Sequence, residues 1–228
     1  STWTEVANLG TQREHTGGCG TQTAALCAGD SPGGGESEEW NGSSWTEGDD
    51  MNTGRGQVFL AGIQTSGLIY GKEDVGVVVE SYNGSSWSEV ADLNVGRRYI
   101  EGAGITNTAA LAFGGNTAAS GSGYTGANES FDGSSWTEIG DLNSGRFGAG
   151  SCGTQTLALI MAGHESGDTT SQKVEEWDGV TWTEVADVST GRSGGLGLGR
   201  QFSAILAGGS PTTVEEYTQA QNVEIITD

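Results

Sequence analysis

Proline is nearly absent from this chain, with two in 228 residues, and basic residues are scarce, with nine Lys and Arg against 30 Asp and Glu. The formal net charge of -21 repels a phosphate backbone, so direct binding of DNA or RNA is not expected. The three cysteines, Cys19, Cys27 and Cys152, are odd in number and show no C-x-x-C spacing. They therefore read as small buried apolar residues, not as a disulfide framework or a zinc site. No run of 18 apolar residues occurs, which argues against a membrane-spanning helix and against membrane insertion. The N-terminus shows no charged segment followed by an apolar one, so no signal peptide is read there. No helical periodicity is visible either, which points to an all-β chain.

What the chain has in excess is glycine: 41 residues, about 18%, more than twice the usual share. It has no G-X-Y period, which excludes collagen. Seven Trp, five Tyr and five Phe are too many for a disordered acidic tail.

The organising feature is a repeat. The phrase W-[TS]-E occurs at Trp3, Trp45, Trp87, Trp136 and Trp182, at spacings of 42, 42, 49 and 46 residues. Ten residues after each tryptophan stands an arginine: Arg13, Arg55, Arg97, Arg146 and Arg192. Seven residues further stands a glycine: Gly20, Gly62, Gly104, Gly153 and Gly199. Each unit then carries a glutamate two residues before an aromatic, as in Glu38 and Trp40, Glu80 and Tyr82, or Glu215 and Tyr217.

Each unit reads as four short strands. Strand A follows the arginine and is glycine-rich. Strand B is small and apolar and ends in glycine. Strand C carries the glutamate and the aromatic. An Asn-Gly or Asp-Gly pair, at 41–42, 83–84, 132–133 and 178–179, predicts a type I′ hairpin into strand D, which starts at the W-[TS]-E phrase. Units of this length with four strands each predict propeller blades. The expectation is an all-β, five-bladed β-propeller occupying the whole chain as one domain. Its blades span about 13–50, 55–92, 97–141, 146–187, and 192–217 plus an N-terminal strand, 1–9, that closes the ring. Residues 218–228 follow as a C-terminal extension.

The arginine start, the glycine pair after strand B, the strand C aromatic and the strand D tryptophan resemble kelch-type repeats over essentially the whole chain. Phrases such as Gly-Thr-Gln-Thr-Ala-Ala-Leu and Asn-Gly-Ser-Ser-Trp-Thr-Glu are similar to repeats of bacteriophage proteins, cyanophages especially. The resemblance implies a kelch-like propeller within a virion or tail fibre. It is weak for function, because propellers host many activities.

The five tryptophans and five arginines stand at equivalent places and are assigned structural roles. The tryptophans wedge between blades, and each arginine pairs with a glutamate. Two glutamate sets are available, the strand C set and Glu5, Glu47, Glu89, Glu138 and Glu184. His15 and His164 are the only histidines, and no catalytic triad order or nucleophile elbow accompanies them. The kelch family includes a copper oxidase whose site needs two histidines, two tyrosines and a cysteine, and no such cluster is readable here. No Asp-x-Asp-x-Asp loop suggests calcium. The chain is therefore expected to be no enzyme and to need no cofactor or metal. Asn-x-Ser matches at Asn41, Asn83 and Asn128 are read as turn and strand residues before glycosylation sites.

The connections after strand B differ in every unit, at 30–36, 72–76, 116–127, 164–173 and 210–213. Differing loops on a regular scaffold are where binding residues usually sit. The candidate ligand-binding residues are Lys72, Asp74, Asn116, Tyr124, His164 and Asp168. The expected partner is a host-surface glycan or protein, or other virion proteins, in a virion or extracellular setting. The alternatives are an architectural virion module and a kelch-like protein-binding module. Seawater ionic strength would shorten the reach of the acidic surface to a few Å.

Overall fold

The computed structural model describes residues 2, 4–119, 123–167, 169–210 and 212–219, and these contain strands and turns but no helix. The first sheet is formed by β1 (Gly17–Thr21), β2 (Ala24–Asp30), β3 (Gly34–Trp40) and β4 (Trp45–Glu47). The second holds β5 (Phe59–Ile63), β6 (Ser66–Tyr70), β7 (Glu80–Tyr82) and β8 (Trp87–Glu89). The third holds β9 (Glu101–Thr106), β10 (Ala109–Phe113), β11 (Asn128–Phe131) and β12 (Trp136–Ile139). In the fourth unit, β13 (Arg146–Phe147), β16 (His164–Glu165) and β17 (Thr169–Thr170) make a small separate sheet. The fourth main sheet joins β14 (Gly150–Gly153), β15 (Ala158–Met161), β18 (Val174–Trp177) and β19 (Trp182–Glu184). The fifth has three strands, β20 (Gly195–Arg200), β21 (Ser203–Gly208) and β22 (Val214–Thr218). All pairings are antiparallel, between sequence neighbours within each main sheet. The whole is propeller-like and all-β.

Glycine ends strand A for a steric reason. Gly20, Gly62, Gly153 and Gly199 have φ of 115°, 116°, 123° and 114°. A Cβ there would lie 2.3, 2.0, 2.2 and 2.4 Å from the carbonyl oxygens of Ala24, Ser66, Leu157 and Ser203. Only glycine fits the tight step into the next strand.

The sheets stand side by side through their first strands: β1 beside β5, β5 beside β9, β9 beside β14 and β14 beside β20. The core is correspondingly a series of layers between sheets. Leu26 and Ala28 meet Leu60, Ile69 and Trp87; Leu68 and Tyr70 meet Ala110, Ala112 and Trp136. Leu111 and Phe113 meet Ala158, Ile160 and Trp182, and Leu159 and Met161 meet Ala204 and Leu206. Strand B alternates between two neighbours instead of between core and water, which is why it carries no polar residue at alternate positions. A side-chain amide in the A–B turn adds a latch to the preceding sheet. Gln64 donates to the Trp40 carbonyl (2.8 Å), Asn107 to that of Tyr82 (3.3 Å), Gln201 to that of Trp177 (2.6 Å), and Gln155 to that of Phe131.

One sequence expectation needs correction. The Asn-Gly and Asp-Gly pairs do not form two-residue type I′ turns. Trp40 pairs with Trp45 and Tyr82 with Trp87, so four residues close each hairpin. Gly42, Gly84, Gly133 and Gly179 have positive φ, whereas Asn41, Asn83, Asp132 and Asp178 do not. The first residue caps the loop instead, accepting amide hydrogens two and three residues on, as Asn41 Oδ1 does from Ser43 (2.9 Å) and Ser44 (3.0 Å). At Asp132 the same bonds from Ser135 and Ser134 hold the carboxyl down to about 2.

Closure of the ring by the N-terminal segment is not seen among the described residues. Residues 4–9 form no strand, and among the described residues no fourth strand pairs with β22. The fifth unit lacks the Asn-Gly loop that would fold a strand back onto β22. One face of this sheet exposes Leu196 (60%), Leu198, Ile205 and Val214 (64%). Gln22, which stands where Gln64 and Gln201 stand, is exposed and makes no such latch among the described residues. Trp3 and residues 220–228 lie outside the described residues.

Candidate functional site

The repeat arginines are buried in ion pairs. Arg13 meets Glu38 and Arg55 meets Glu80, both at 2.5 Å; Arg97 meets Glu129 at 2.7 Å; Arg146 meets Glu175 and Arg192 meets Glu215. These are the strand C glutamates; Glu5, Glu47, Glu89, Glu138 and Glu184 are exposed. Each carboxylate also takes donors from the segment preceding its arginine. Glu80 accepts from the Asn52 amide and side chain (2.8 Å each) and the Thr53 amide (3.0 Å), and Glu129 accepts from Asn94 and Val95 in the same way. With its charge neutralised and its lone pairs occupied, this set has nothing to offer a ligand. Trp87, Trp136 and Trp182 are buried between sheets, and Trp45 is half-buried at the edge of the first.

A different place gathers free chemistry. The first strands surround a cavity of about 350 Å³, lined from all five repeat units. Two residues after each repeat arginine the chain turns left-handed: His15 (φ 55°), Gln57 (58°), Tyr99 (49°), Gly148 (60°) and Gly194 (68°). Backbone bonds link them around the cavity, from Gln57 N to His15 O (2.9 Å), Tyr99 N to Gln57 O (2.9 Å) and Gly194 N to Gly148 O (2.8 Å). All five line the cavity.

An aromatic platform extends from this rim. His15 meets Tyr99 edge-on with centroids 5.7 Å apart, and Tyr99 stacks on Phe147 at 5.5 Å. Phe147 also stacks with Tyr124 (5.4 Å) and His164 (5.5 Å). The Arg98 guanidinium lies 5.5 Å from the Tyr99 ring centroid. The small sheet of the fourth unit sets this geometry, because Phe147 on β13 is registered against His164 on β16. Bridges from Arg98 to Asn116 and from Asn116 to Tyr124 bring in the 116–127 loop.

Inside the cavity stands one carboxyl group. Glu101 accepts from the Ser151 hydroxyl (3.1 Å) and from the Ala149 amide. Burial pushes its pKa up to about 8, against those two bonds.

Of the predicted ligand-binding residues, Asn116, Tyr124 and His164 come together at the platform. Lys72 and Asp74 do not: they form an ion pair of 2.6 Å in their own connection, and the bond from Lys72 holds the Asp74 carboxyl below its usual range. Asp168 lies outside the described residues. Sequence reasoning missed Tyr99, Phe147, Gln57 and Glu101. A signal was present, since the one or two positions after each arginine vary within an otherwise constant frame. Among the described residues no group of three or more His, Cys, Asp or Glu is placed to hold a metal ion, and no helix is long and apolar enough to cross a membrane.

No protein-family model matches the chain, and no curated protein matches its sequence. Its fold is similar to the solved structure of YjhT, with a TM-score of 0.73 at 17% identity, covering 90% of this chain and 75% of that one. The likeness concerns the fold alone.

Proposed function

We propose that the chain is a non-enzymatic binding propeller of five kelch-like blades that holds a glycan of a host surface, as part of a bacteriophage virion or tail fibre. The observation that carries this reading is the platform of His15, Tyr99, Phe147, Tyr124 and His164 at the rim of the axial cavity. Flat rings beside polar groups suit a sugar, which offers one apolar face and a rim of hydroxyls. The net charge of -21 disfavours anionic polymers as ligands. Glycan-array binding by the whole chain tests the reading, with Tyr124→Ala and Phe147→Ala as controls expected to lose the signal. No binding to any glycan would sink it.

A second reading has its own support. The apolar face of the fifth sheet, with Leu196, Leu198, Ile205 and Val214 exposed, favours an architectural or protein-binding module. Under that reading the chain would be silent on the array and would associate with other virion proteins.

A further inference from the structure

We infer that the axial cavity is a subsite for one uncharged sugar ring, entered from the platform, and that Glu101, Gln57 and His15 choose that ligand. The inference rests on the glycan reading above and adds to it the place and chemistry of recognition.

The size of the cavity is the first argument. About 350 Å³ lies at the small end of ligand pockets, which suits a single ring and not a chain of them. The wall is mostly bare backbone and apolar side chains, with Gly17, Gly18, Gly195 and Gly197 next to Phe59 and Leu60. The polar side chains are few: His15, Thr16, Gln57, Tyr99, Glu101 and Ser151. No lysine or arginine lines it among the described residues.

The backbone supplies the second argument. At the left-handed rim position two units carry glycine, the residue that such a conformation favours. Three carry His15, Gln57 and Tyr99 instead, each with φ between 49° and 58°. A turn alone would be better served by glycine, and strain of this kind concentrates at ligand sites. The side chains of these residues, not the turn, account for their presence.

The third argument is unmet hydrogen-bonding capacity. Gln57 Oε1 is buried with no hydrogen-bond partner among the described residues. Closed off from solvent as it stands, this acceptor would meet a ligand hydroxyl once the Gln57 side chain turns into the cavity. Glu101 complements it. Burial, with a pKa near 8, keeps its carboxyl mainly protonated at neutral pH, where it can donate to a hydroxyl oxygen. An anionic sugar would enter a chain of charge -21 without a cation to meet it. The titratable groups around Glu101 are His15 and Tyr99 on the cavity wall and Tyr70 behind it, with Arg97 near Tyr70.

The test uses the whole chain, free neutral hexoses and N-acetylhexosamines, and glucuronic and galacturonic acids, read by saturation-transfer NMR and titration calorimetry. At least one neutral sugar should bind and the uronic acids should not. Gln57→Gly and His15→Gly should raise the melting temperature, since glycine suits the rim, and weaken binding about tenfold, the loss of one good hydrogen bond. Glu101→Gln should weaken binding at neutral pH and should lack the parent's further loss of affinity above about pH 8. Three results would overturn the inference: preferred binding of uronic acids, glycine variants that bind unchanged, or longer glycans lost with Tyr124→Ala but indifferent to Gln57→Gly. The last would leave the platform reading standing. Silence toward every saccharide would remove both.

Discussion

Arg97 donates to Glu129 over 2.7 Å with both side chains wholly out of water, and the same guanidinium reaches the Ala127 carbonyl at 2.5 Å. One arginine thus ties the entry of a sheet to its third strand. The motif repeats in every unit because a buried carboxylate is tolerated only when charge and lone pairs are both met.

Glu129→Leu should therefore destabilise by about 3–5 kcal/mol, leaving Arg97 buried without its counter-charge. The double variant Arg97→Leu with Glu129→Leu should recover part of that loss. Urea unfolding measures both; a single variant as stable as the parent would contradict the assignment.

Trp136 lies between the second and third sheets, 5.0 Å from the ring of Phe131 and 5.4 Å from that of Tyr70. Trp136→Ala removes the largest side chain of that layer and should cost about 3–5 kcal/mol. Thermal unfolding followed by near-UV circular dichroism reports it.

Glu101 makes stability fall as pH rises. Its pKa is raised on folding to about 8, so the folded chain holds a proton that the unfolded chain releases. The contribution is complete below the ordinary carboxyl range and is lost as pH climbs through about 8, at no more than ~1.4 kcal/mol per pH unit. Subtracting the pH profile of Glu101→Gln from that of the parent isolates this slope. A flat difference would mean that the carboxyl is ionised in the fold.

The amides of Gly10 (2.7 Å) and Thr11 (3.4 Å) donate to Glu38, as those of Asn52 and Thr53 do to Glu80. The segment before them stands by offset where a strand D would precede the first sheet. Removing residues 1–9 should lower the melting temperature by more than about 5 °C, and removing residues 220–228 should change it less. The reverse order, seen by scanning calorimetry, would assign closure to the C-terminal end.

The repeat offsets determined the all-β class and the equivalent places of the glycines, arginines and glutamates that recur in each unit. They could do so because each unit solves the same local problem, a glycine where a Cβ would strike a carbonyl and an arginine for a buried glutamate, to which Trp87, Trp136 and Trp182 add a tryptophan between sheets. Tertiary structure decided what the repeat could not. Tyr99, Tyr124, Phe147 and His164 come from four separate segments, and only tertiary pairing, of β13 with β16 and of Asn116 with Arg98 and Tyr124, brings them to one rim. Glu101 stands where other units place Gly17, Phe59, Gly150 and Leu196, and its meaning depends on a cavity that no single unit encloses. Lys72 and Asp74, equally plausible in sequence, neutralise each other instead. Repetition encodes contacts between equivalent positions, whereas a site shared by all five units is built from the positions at which the units differ.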